Sequence, residues 1–173
     1  MIKLLTSDGL DIYQKHFQQI LIRGDGKENF NKIINENLSV SPPLKNLEVI
    51  NTEKYLFAKS SFDQWNLLYL EEQEYNNILI NISKLNKVDE ILATDYSYGQ
   101  VYFEIIGKNK DQFLNKLTQF DLRPKKFPFN SMAQTLIARI ECSIFNLKDK
   151  YIIACNRSFE NYFIDRLKDI ASL

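Results

Sequence analysis

His16, Cys142 and Cys155 have the widest chemical repertoire in this 173-residue sequence, and their spacing limits what they can do. A lone histidine and two cysteines thirteen residues apart in the sequence lack the paired-ligand spacing of a zinc site. A Ser–His or Cys–His nucleophile needs a third group to orient the base, and the sequence around His16 supplies none. His16 therefore reads as a surface or half-buried side chain. Gly24-Asp25-Gly26-Lys27 invites a phosphate-loop reading, but that loop needs a glycine where Leu21 stands and a Ser or Thr where Glu28 stands. The carboxylate pairs Glu71-Glu72 and Asp89-Glu90 sit beside a helix start and a strand start and read as solvated faces. Acid–base work needs a carboxyl in a desolvated pocket. Arg123, Lys125 and Lys126 around Pro124 read as a loop rim or a partner contact. These residues offer no metal site and no catalytic residue.

The elements that would position any site follow from period and punctuation. Residues 1–17 carry no clear period and read as irregular. Gln18 to Arg23 reads as a strand, ended by Gly24-Asp25-Gly26, where Asp25 and Glu28 form an N-capping pair. Phe30, Ile33, Ile34 and Leu38 predict a helix over Lys27 to Leu38, stopped by Ser41-Pro42-Pro43. Strands at Glu53 to Ala58 and Trp65 to Leu70 precede a second helix, Glu72 to Leu85, with Tyr75, Ile78, Leu79, Ile82 and Leu85 on one face.

A similar order then repeats. Ile91 to Thr94 and Val101 to Ile106 are strands, and Asn109 or its neighbour caps a helix burying Phe113, Leu114 and Leu117. Strands follow at Ala133 to Ala138, Ile140 to Phe145 and Tyr151 to Cys155. A last helix from Ser158 to Ile170 buries Phe159, Tyr162, Phe163 and Leu167. The reading is one unit over 1–173 made of two related β-α-β-β-α halves, about 1–88 and 89–173, offset by roughly 80 residues. Helices separated by hairpins predict an α+β fold of antiparallel sheets with helices packed on them.

Composition narrows the class. Lys plus Arg and Asp plus Glu both total 22, which disfavours a nucleic-acid or anionic-membrane partner. A hydrophobic share of 45% and a charged share of 25% are ordinary for a globular domain. No apolar run reaches the roughly 18 residues that span a bilayer. The N-terminus lacks the apolar stretch of a signal peptide. A cytoplasmic location is expected. If Lys148-Asp149 forms a two-residue turn, Cys142 and Cys155 face each other on neighbouring strands as two reduced, packed thiols.

Two stretches carry a family resemblance. In Ala93 to Leu117, Asp95, Ser97, Gly99, Gly107 and Phe113-Leu114 resemble the folate-binding domain superfamily that includes the glycine-cleavage aminomethyltransferase. In Phe127 to Leu167, Phe127, Pro128, Gln134-Thr135, Arg139 and Arg157-Ser158-Phe159 resemble the gamma subunit of heterotetrameric sarcosine oxidase, with Asn130 where that family usually has Gly. The segment SSFDQWNLLYL at 60–70 is similar to that family's G-P-x-x-W-L-L, without the Gly-Pro.

The resemblance implies a folate-type fold and a non-catalytic gamma subunit. Active aminomethyltransferases carry N-x-x-G-G-I-x-D-D where this chain reads ARIECSIF, Ala138 to Phe145. The chain ends at Leu173, which leaves no room for the barrel domain those enzymes add. The implied complex converts sarcosine, tetrahydrofolate and oxygen to glycine, methylene-tetrahydrofolate and hydrogen peroxide. Its alpha, beta and delta subunits would be the partners and would hold FAD, FMN, NAD, zinc and tetrahydrofolate, with no cofactor in this chain. Arg139, Arg157, Ser158 and Phe159 are then structural or partner-contact residues, Ser158 capping the last helix and Arg157 tying its start to a carbonyl or carboxylate. The alternatives are a stand-alone folate-binding or one-carbon enzyme, with Asp95 and Glu141 as its carboxylates, or an unrelated interaction module on the same fold.

Overall fold

The structure is a computed structural model and describes residues 1–7 and 9–172. The described chain is α+β, two antiparallel sheets and four α-helices, in two compact units: Met1–His16 with Tyr98–Leu173, and Phe17–Ser97. These packing boundaries differ from the sequence halves at about 1–88 and 89–173, because an N-terminal hairpin pairs far along the chain.

That hairpin corrects the irregular reading of residues 1–17. Strands β1 (Ile2–Ser7) and β2 (Leu10–Lys15) pair with each other, and β2 then pairs with β8 (Gln100–Gly107). Only Leu10 and Ile12 of β2 are buried, too short an alternation to mark a strand in the sequence alone.

The Phe17–Ser97 unit runs β3 (Gln18–Arg23), α1 (Glu28–Leu38), β4 (Val49–Asn51), β5 (Tyr55–Ser61), β6 (Gln64–Tyr69), α2 (Tyr75–Leu85), β7 (Leu92–Asp95). Its sheet order is β4-β5-β6-β3-β7. Phe30 and Ile34 of α1 and Ile78 and Leu85 of α2 pack on Ile20, Ile22, Phe57, Trp65 and Leu67. The long proline-containing connection is held by the Trp65 indole, which donates to the Pro43 carbonyl over 2.9 Å. Two expectations fail here. The Asp25 carboxylate accepts from the Lys27 N–H two residues on, so it shapes the turn while Lys27 takes the N-cap position. Gly26 at φ +68°, with the Trp65 ring 2.9 Å from where a Cβ would lie, forces that geometry. Tyr75 and Leu79 are exposed, so the apolar face of α2 narrows to Ile78, Ile82 and Leu85.

The other unit follows β8 with α3 (Lys110–Asn115), β9 (Ser131–Ile137), β10 (Ile140–Leu147), β11 (Lys150–Asn156), a 3-10 turn (Arg157–Phe159) and α4 (Glu160–Ala171). Its sheet order is β1-β2-β8-β11-β10-β9. Phe113 and Leu114 of α3 and Phe163 and Leu167 of α4 bury against Ile12, Phe103, Ile105, Ile144 and Ile153. The duplication is visible in topology. β3-α1-β4-β5-β6-α2 and β8-α3-β9-β10-β11-α4 share one element order, and their sheets share the strand orders β4-β5-β6-β3 and β9-β10-β11-β8. β4, three residues long, is another strand, besides β1 and β2, that the sequence pattern did not reveal.

Two details are set by single residues. Asn130 adopts φ 58°, a left-handed conformation that asparagine tolerates better than most residues, so it serves where a glycine would. Gly107, at φ +129°, closes β8 against Leu10; a Cβ there would stand 2.0 Å from the Gly9 carbonyl oxygen. At the hub of the same sheet Glu104, 3% exposed, lies between Lys15 (3.0 Å) and Lys150. Burial alone would push its carboxyl up. The hydrogen bonds from the two ammonium groups outweigh burial and hold it below its ordinary value.

Candidate functional site

Each residue singled out in the sequence has a definite place in the fold. Asp95 ends β7, and its carboxylate is occupied by the fold. One oxygen accepts the Ser97 N–H (3.0 Å) and the Ser97 hydroxyl (2.6 Å), and the other accepts the Tyr75 hydroxyl (3.0 Å). The buried Ser97 Oγ in turn accepts the Gln19 N–H over 2.9 Å. Asp95 and Ser97 thus tie the end of β7 to β3 and α2. Tyr75, expected on the apolar face of α2, and Gln19 also belong to this cluster; the sequence did not show their part in it because each makes its bond across a long separation along the chain. Glu141 is exposed on β10, opposite Leu136, in the other unit.

Arg139 lies in the β9–β10 hairpin. The two connecting residues, Ala138 and Arg139, have φ 52° and 67°, the signature of a type I′ turn, for which Asn-Gly is the usual sequence. The turn is fixed from outside: the Ala138 N–H donates to the Leu117 carbonyl (2.8 Å), and the Tyr162 hydroxyl donates to the Ala138 carbonyl (3.3 Å). Arg139, Leu117, Thr118, Thr135 and Leu136 line an open cleft of about 610 Å³.

Arg157, Ser158 and Phe159 form the 3-10 turn before α4. Ser158 does not cap the helix. Asn156 caps the 3-10 turn instead, its Oδ1 accepting the Ser158 N–H (2.9 Å) and hydroxyl (2.7 Å), while Phe159 holds the N-cap position of α4 without a side-chain bond. Asparagine, like serine, is a preferred cap, and here it precedes the sequence-based start by two residues. Arg157 lies 3.8 Å from the Glu160 carboxylate, and its guanidinium sits over the Tyr98 ring at 5.8 Å. Its N–H donates to the Gly99 carbonyl (3.2 Å). Tyr98 also packs against His16, ring centroids 5.1 Å apart. Phe159 and Tyr162 are about half exposed; only Phe163 and Leu167 of the expected α4 face are buried.

The remaining groups are accounted for locally. Arg123 makes a two-pronged pair with Asp121, which holds that carboxyl down at about 2. Cys142 and Cys155 are free, buried and directly opposite each other across the Lys148-Asp149 turn. No cluster of three metal-ligating side chains occurs among the described residues, and no described helix is long and apolar enough to cross a membrane.

Comparison with known proteins places this geometry. A chain of the heterotetrameric sarcosine oxidase from Corynebacterium sp. U-96, in complex with pyrrole 2-carboxylate, superposes with a TM-score of 0.85 at 17% identity, over 98% of this chain and 87% of that one. The glycine cleavage system aminomethyltransferase T from Bartonella henselae superposes with a TM-score of 0.63 at 13% identity, over 94% of this chain and 46% of that one. The regulatory subunit of aspartate kinase from Thermus thermophilus follows at 0.51 and 9% identity, over 95% and 99%. At such identities these likenesses speak for the fold. No curated protein matches the chain. The profile of the sarcosine oxidase, gamma subunit family matches residues 23–172, nearly the whole length, and this chain belongs to that family.

Proposed function

We propose that this chain is a non-catalytic gamma subunit of a sarcosine oxidase-like complex and works by packing against larger subunits. The observation that carries this reading is the fate of Asp95. Both of its oxygens accept hydrogen bonds that hold the β7 end in place, so removing or reprotonating the carboxylate would undo structure before it did chemistry. Glu141 is exposed on a strand, outside the kind of enclosed pocket in which acid–base work is done. Family membership and the fold likeness to a chain of a heterotetrameric sarcosine oxidase support the same reading.

In this reading the reaction is that of the whole assembly: sarcosine, tetrahydrofolate and oxygen give glycine, methylene-tetrahydrofolate and hydrogen peroxide. FAD, FMN, NAD, zinc and tetrahydrofolate belong to the alpha, beta and delta subunits. The competing reading, a stand-alone folate-binding one-carbon protein, draws on the fold likeness to the aminomethyltransferase.

One pair of measurements separates them. The purified chain is assayed alone for sarcosine oxidation and for tetrahydrofolate binding by calorimetry. A tagged copy is then isolated from its native cells and scored for flavin absorbance and heavier subunits. Inert chain with a flavin-bearing complex supports the proposal; turnover or saturable micromolar folate binding by the chain alone ends it.

A further inference from the structure

We infer that the face built from Tyr98, Arg139, Arg157, Phe159 and Tyr162 is the docking surface for a larger protein subunit that presents carboxylates around an apolar centre. The inference rests on the subunit reading above and adds which face is used.

Bonds on one unit draw these residues together. The Arg157 N–H binds the Gly99 carbonyl beside Tyr98, and its guanidinium lies over the Tyr98 ring. Two residues on, Phe159 enters α4 one turn ahead of Tyr162, and the Tyr162 hydroxyl reaches the hairpin turn that carries Arg139. Three large aromatics remain unusually open: Tyr98 is 68% exposed, Phe159 46% and Tyr162 45%. Leu136, 56% exposed on the edge strand β9, extends the apolar surface beside Arg139. Aromatic and arginine side chains are the types that concentrate at interface centres and carry most of their binding energy.

Arg139 is informative in its own right. An I′ turn is most comfortable with glycine at its second position, and a side-chain-bearing residue there is strained. The fold obtains nothing visible in return, because among the described residues Arg139 has no acidic partner. A cation kept at a backbone cost and left unpaired is suited to a carboxylate from outside the chain.

Charge decides among occupants. A second copy paired two-fold through this face would offer the same two arginines, while the Glu160 carboxylate beside them is already engaged by Arg157 and Gln14, so it would answer their charge poorly. Formal net charge of zero over the chain argues against a nucleic-acid backbone. An acidic protein surface remains.

The test uses the full chain and the flavin-bearing subunit isolated with it, titrated against each other at low and at physiological salt. Arg139→Glu with Arg157→Glu, and separately Phe159→Glu, should each weaken binding at least about tenfold with thermal stability retained. Leu79→Glu and Ile80→Glu on exposed α2 positions of the other unit serve as controls and should bind as wild type. If wild type binds and the face variants bind equally well, the face is wrong and the subunit reading stands. Loss of binding only in the α2 variants also overturns it, as would self-association of wild type blocked by the face variants. If wild type captures no flavin-bearing subunit, both readings fall together.

Discussion

Cys142 lies directly across the β10–β11 ladder from Cys155, both within the apolar core of their unit. Counting outward from the Lys148-Asp149 turn, this pair falls at a position without ladder hydrogen bonds, where opposing side chains approach most closely. The neighbouring Cys155 thiol, together with burial, pushes the Cys142 thiol far above its usual range. Both thiols are buried, which keeps a reagent from reaching either sulfur in the native fold. In native protein at neutral pH neither cysteine should react with an aromatic disulfide reagent over minutes, and both should react at once in guanidinium. Fast labelling of the native chain would contradict the packing described.

The ion cluster at Glu104 makes stability depend on pH in one direction. Its folded carboxyl titrates below the ordinary value, so the ionised form is favoured by folding. That contribution is complete above the ordinary carboxylate range and is lost as pH falls through the folded value. Glu104→Gln should lower stability by about 2 kcal/mol at pH 7, a reduced figure for a buried pair because both lysines still reach solvent. Urea titrations at pH 7 and pH 3 check it: the wild-type and variant curves should converge in acid.

Gly107 should tolerate no side chain. Gly107→Ala places a methyl against backbone, which moves only if the β2–β8 ladder opens, and should cost at least about 2 kcal/mol. An unchanged denaturation midpoint would show that this close approach is absent in solution.

Arg139→Gly should do the reverse. Relieving the left-handed strain in the hairpin should stabilise the isolated chain by about 1 kcal/mol, read from the same denaturation curves. The same variant should bind the flavin-bearing subunit more weakly, a trade between stability and function.

Where side-chain period dominates, the fold is legible in sequence. QQILIR, the helix over Phe30 to Leu38 and the three strands around Cys142 and Cys155 all follow from apolar spacing and turn residues. The Lys148-Asp149 turn by itself sets the register of the two cysteines. What escaped is what neighbours decide. The β1–β2 hairpin has weak alternation and exists because β8 offers an edge, and β4 is too short to show a period. Asp25 and Ser158 carry capping chemistry, yet Lys27 and Phe159 hold the N-cap positions of α1 and α4 because local turns set the helix starts. Phe159 and Tyr162 fit the apolar spacing of α4, and only packing shows that they stay open. The site was legible as residue types, in Arg139 and Arg157, while Tyr98 could be found only through its contacts. A non-glycine pair, Ala-Arg, at a two-residue hairpin was the one local signal available.

The pairing of β2 with β8 has a consequence for how the protein is made. As the chain leaves the ribosome, the N-terminal hairpin must wait through synthesis of everything from Phe17 to Ser97 before its edge partner emerges. The intervening unit has all its strands in hand by then and can finish first, so the hairpin spends that interval with an open, sticky margin. Newborn chains stalled before residue 100 should therefore be the ones that chaperones hold.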